Sequence, residues 1–72
     1  MFYTDEEDIK RCYKIVNNEL RKHNIVLDEE VIKKITTDIM NISYSKGGDY
    51  SNDVIQSFAE AYIADRLYKK FI

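Results

Sequence analysis

The last third of this chain carries apolar residues on two helical faces, and a short chain has only one core in which to bury them. Val54, Ile55, Phe58 and Tyr62 recur at helical spacing. Ile63, Leu67 and Phe71 recur at i, i+4 and i+8 on a face rotated well away from the first. One stripe is enough to pack a small helical domain. The other must be covered, either by the remaining helices of the same chain or by something outside it.

The length permits no second core. At 72 residues the chain reads as one domain, 1–72, because a chain of this size buries only about 60% of its unfolded surface. A core this small supplies roughly 3 to 5 kcal/mol without staples. A single cysteine allows no internal disulfide, so association is a natural supplement to stability.

Two further helices precede the doubled one. Thr4 and Glu7 are spaced as a capping box, which predicts a first helix over residues 5–23. Its core stripe is Ile9, Cys12, Tyr13, Val16 and Leu20, and Lys22, His23 and Asn24 form a cationic end tolerant of left-handed backbone. Asp28 is a good N-cap for a second helix over 28–44, with Leu27 and Ile32 spaced to pack across the cap. Val31, Ile32, Ile35, Ile39 and Ile42 line one face of that helix. The run Ser45 to Tyr50 holds the adjacent pair Gly47 and Gly48 and is a clear break. Ser51 or Asn52 can cap a third helix over 52–70. The expected fold is all-α, a small three-helix bundle with short connections, most simply antiparallel.

Composition narrows the function classes. Thirteen acidic and eleven basic residues leave a net charge of -2, so no global field drives the chain onto nucleic acid or anionic lipid. The N-terminal residues have neither the basic start nor the apolar run of a signal peptide, and no stretch approaches the ~20 apolar residues of a membrane span. A cytoplasmic protein is expected, and the lone Cys12 suits a reducing compartment. Richness in Ile, Lys, Asn, Asp and Tyr with no Pro or Trp points to an AT-rich genome, bacterial or phage.

Motifs for chemistry are weak. Asp49, Ser51, Asp53 and Glu60 fall at positions 1, 3, 5 and 12 of a calcium loop, but Val54 stands where the loop's sharp turn needs Gly, so capping is the better reading. Cys12 and His23 lie about 16 Å apart along one helix and cannot form a dyad. No paired carboxylates, phosphate loop or nucleophile elbow is present, so neither an enzyme nor a cofactor, metal or small-molecule substrate is expected. Lys10, Lys14, Asn17 and Arg21, with Arg11 and Lys22 nearby, could grip phosphates. The same gradient of acid to base along the helix complements its dipole and needs no ligand. As a helix-turn-helix recognition element, the third helix offers only Asn52 and Gln56 before Arg66.

The residues off the core stripes are Ile15, Met40, Tyr44, Ile63, Leu67, Tyr68 and Phe71. Scattered surface apolars are ordinary, but aromatic and Met side chains gathered on one helix end are typical of interface cores. The expected function is therefore a small regulatory or accessory protein that binds a protein partner or itself as a homodimer. Its expected contact residues are Ile63, Leu67, Tyr68 and Phe71 with Arg66 at the rim, joined by Met40 and Tyr44. A dimeric DNA-binding regulator is the second expectation, and burial of both stripes within the monomer is the competing account of the third helix.

Overall fold

The spacing of apolar residues is realised as helix three times over the residues described, 6–72, in a computed structural model. Helix α1 spans Glu6–Lys22, α2 Glu29–Ser45 and α3 Asn52–Ala64, and a 3₁₀ segment follows at Leu67–Phe71. The fold is an all-α three-helix bundle in which each helix packs on the other two. Contacts fix the directions. Arg11 and Glu19 of α1 meet Asn52 and Gln56 of α3 in the same order along the chain. Asp38 of α2 meets Tyr62, while Gly48 at the end of α2 lies against Val54, so α2 runs against α3.

The helix ends follow from backbone chemistry. Three acids, Glu6, Glu7 and Asp8, occupy the first turn of α1, and Arg21 and Lys22 the last, each complementing the dipole. Thr4 and its part in a capping box lie outside the described residues. Asn24 takes φ 59° and closes α1: the Ile25 N–H donates to Leu20 O and the Asn24 N–H to Arg21 O, which satisfies two orphan carbonyls. The same pair of bonds ends α2, from Gly48 N–H to Ser43 O and from Gly47 N–H to Tyr44 O, with Gly47 at φ 78°. Gly48 is needed for closeness, since a Cβ there would stand 2.8 Å from Ser43 Oγ and 3.1 Å from Ser43 O. Asp28 and Ser51 occupy the N-cap positions of α2 and α3 with extended backbone, although neither side chain makes the capping bond.

The third helix departs from expectation. It stops at Ala64 rather than near residue 70, because Arg66 adopts left-handed backbone at φ 58° and turns the chain. No Gly or Asn marks that turn. Its cause is tertiary: the turn brings Tyr68 and Phe71 back onto the core, where the 3₁₀ segment packs on α2 and α3. The Lys70 ammonium then reaches Asp38 Oδ2 of α2 at 2.6 Å.

Eleven hydrophobic side chains form the buried core among the described residues, and those with no exposure at all include Leu20, Ile35, Ile39, Met40 and Ile55. The buried face of α2 is rotated from the expected one, with Met40 inside and Ile42 at the margin. Thr36 fits in the core because its hydroxyl donates to Ile32 O at 2.8 Å. Glu19, only 3% exposed, accepts from Lys22 Nζ at 3.1 Å and from Gln56 Nε2 at 3.2 Å.

Candidate functional site

Helix α3 does carry a surplus apolar stripe, but its residues are not the expected ones. The buried face consists of Ile55, Ala59, Tyr62 and Ile63. Val54, Phe58 and Ala61, at i, i+4 and i+7, lie about 120° round the helix from that face. Val54 and Phe58 are half-buried and Ala61 is exposed. Because α2 runs against α3, the register that pairs Tyr62 with Asp38 sets Phe58 level with Ile42. The turn at Arg66 then lays Leu67, 44% exposed, at the far end of the same surface.

Two adjoining grooves share Phe58 and Ala61. One is walled by Asp53, Val54 and Ser57, the other by Ile42, Lys46, Tyr62, Asp65 and Leu67. The rim is charged with both signs. Lys46 stands beside the α2–α3 turn and Asp65 at the C-cap of α3, and among the described residues neither takes part in an ion pair.

Several expected contact residues are spent on the monomer. Met40 is fully buried and Ile63 only 4% exposed, so neither can meet a partner while the bundle is folded. Tyr68 and Phe71 are half-buried against the core, and Lys70 covers the Phe71 ring with its ammonium 5.3 Å from the centroid. Ile15 likewise packs on the core margin. Only Tyr44, Arg66 and Leu67 of the expected set remain exposed. Val54, Phe58, Ala61 and Ile42 replace the others. Periodicity could have indicated them, since Ile55, Ala59, Tyr62 and Ile63 also make a helical stripe, but an apolar pattern does not say which of two faces turns inward.

The remaining candidate chemistry is satisfied locally in part, since Arg11 and Lys22 are paired while Lys10, Lys14 and Arg21 are exposed and in no ion pair among the described residues. Arg11 Nη1 donates to Asn52 Oδ1 at 2.7 Å and Arg11 Nη2 to Asp8 Oδ1 at 3.1 Å, and Lys22 is held by Glu19. Asn17 and Arg21 line a cleft with Tyr13, Leu27 and Val26, the last 88% exposed. Asp49 Oδ1 accepts the Ser51 N–H at 2.9 Å, which holds the carboxyl below its usual range and makes it a turn clamp before α3. Cys12 is buried in the core, and burial raises its thiol pKa against the opposing pull of Arg11. No group of three His, Cys, Asp or Glu able to hold a metal occurs among the described residues. No helix there is long and apolar enough to cross a membrane. Comparison of the chain with protein-family models, curated proteins and solved structures finds no match.

Proposed function

We propose that the protein is a small non-enzymatic binding module, regulatory or accessory in role and acting in the cytoplasm, that docks protein through the outer face of α3. The observation that carries this reading is Phe58. A large aromatic held half-buried between two grooves, with Ala61 beside it and Ile42 and Leu67 continuing the surface, is the arrangement of an interface anchor in a pocket. Lys46, Asp53 and Asp65 frame it as a polar rim that would orient a partner more than hold it. Nucleic acid is the weaker reading, since the net charge is -2, Arg11 and Lys22 are already engaged by side chains of the same chain, and the placement of Lys10, Lys14 and Arg21 along α1 complements the helix dipole without a ligand.

Ala61→Arg tests this directly. The side chain is exposed, so the variant keeps its helix and core while placing a cation in the middle of both grooves. Immobilised wild type should retain a protein, this one or another, that rebinds after purification and is released by the variant. Equal retention by a folded Ala61→Arg would remove this face from the function.

A further inference from the structure

We infer that the occupant of this face is a second copy of the chain, packed antiparallel along α3 about a two-fold axis between Phe58 and Ala61; the inference rests on the docking role proposed for the same surface. An isologous interface requires a patch complementary to itself, so that residue i meets j and j meets i. The outer stripe meets that requirement at its centre. The midpoint between Phe58 and Ala61 is also the midpoint between Val54 and Asp65. Rotation about that point sets the large Phe58 of each copy against the small Ala61 of the other, a ring opposite the gap that lets two helices approach.

Charge obeys the same axis. Lys46 lies just before Gly48, which packs against Val54, and so stands at the opposite end from Asp65 of the groove the two share, with Val54 about 16 Å along α3 from Asp65. The rotation therefore brings Lys46 of each copy to Asp65 of the other. Among the described residues neither side chain forms an ion pair, and Asp65 sits at the negative end of α3, whose last turn has no basic residue. A second copy would add Lys46 to the negative end of α3, beside its own Arg66.

The test is sedimentation equilibrium of the full chain from micromolar to millimolar concentration, with circular dichroism as the check on folding. Wild type should dimerise and Ala61→Arg should not. Lys46→Asp and Asp65→Lys each turn both intermolecular pairs repulsive and should weaken self-association about tenfold. An equimolar mixture of the two, in which every pair is again opposite in sign, should recover it, as should the double variant. Both residues are exposed, so this mixing experiment decides the matter even if Ala61→Arg fails to fold. A wild type that stays monomeric to millimolar concentration overturns the inference. So does a dimer indifferent to Ala61→Arg, or one indifferent to the charge reversals. A monomeric wild type that still captures a different protein through Ala61 would overturn the second copy alone, whereas a monomer that captures nothing would remove the docking role as well.

Discussion

Tyr62 donates its hydroxyl to Asp38 Oδ2 at 2.7 Å, joining the core face of α3 to the flank of α2. Lys70 binds the same oxygen, so this carboxylate gathers a phenol and an ammonium that arrive from opposite sides of the turn at Arg66. Burial, reinforced by the hydrogen bond to Asp38, raises the Tyr62 pKa far above the usual phenol range, and burial raises that of Tyr50 as well. A pKa raised on folding contributes stability that is fully present below the unfolded value, about 10 for Tyr, and is lost as pH climbs through the folded value. The melting temperature should therefore hold from neutral pH to about 9, where Cys12 with its raised thiol pKa begins to contribute, and fall more steeply beyond about 10. Tyr62→Phe should lose about 1 to 2 kcal/mol at neutral pH and soften the alkaline fall. An unchanged alkaline slope in the variant would show that Tyr62 is not its source.

Core and margin should separate under truncation. Ile35 is fully buried, and Ile35→Ala should cost about 2 to 5 kcal/mol through lost transfer energy and a residual cavity. Half-buried Phe58 should lose only about 1 to 2 kcal/mol on truncation to Ala, because part of its ring is already in water. Urea titration of the two variants at a concentration where the chain is monomeric measures the difference. Equal losses would place Phe58 in the core.

At Arg66 the left-handed backbone carries a steric cost that Gly would not have. Arg66→Gly should stabilise the domain by about 0.5 to 1 kcal/mol, raising the melting temperature by about 2 to 8 °C for a chain of this size. A lower melting temperature would mean that the arginine side chain contributes more than its backbone costs.

Cys12 reports on opening of the bundle. Its sulfur is buried and its thiolate disfavoured by that burial, so a disulfide reagent should label it only through unfolding. Labelling should be slow in buffer and immediate in denaturant. Fast labelling in buffer would show a core less closed than Leu20, Ile35 and Ile39 imply.

Much of this fold was legible because local chemistry and tertiary packing agree. Asn24 and the Gly47–Gly48 pair end helices where a sequence containing them should end, and the three-helix architecture follows from the spacing of apolar residues. Arg66 was not legible. Nothing in its side chain asks for left-handed backbone, and the turn exists because Tyr68 and Phe71 gain more by folding back onto the core than by extending α3. The surplus stripe was legible as a surplus, yet Ile63 lies in the core and Phe58 only at its margin. Ala59 decides it: a small residue on the buried face lets α3 approach its neighbours closely, while the pattern scores the bulkier Phe58 as the natural core residue.

Glu19 gives the bundle something that apolar packing does not. Hydrocarbon contacts between α1 and α3 set the axial register through shape alone. A carboxylate that accepts from Lys22 on its own helix and Gln56 on α3 has one axial position where both donors arrive. A slip of α3 along α1 by one turn, about 5.4 Å, would leave Glu19 short of Gln56 in a site almost closed to water. The residue acts as a dowel between two helices, and the outer stripe of α3 inherits its alignment from it.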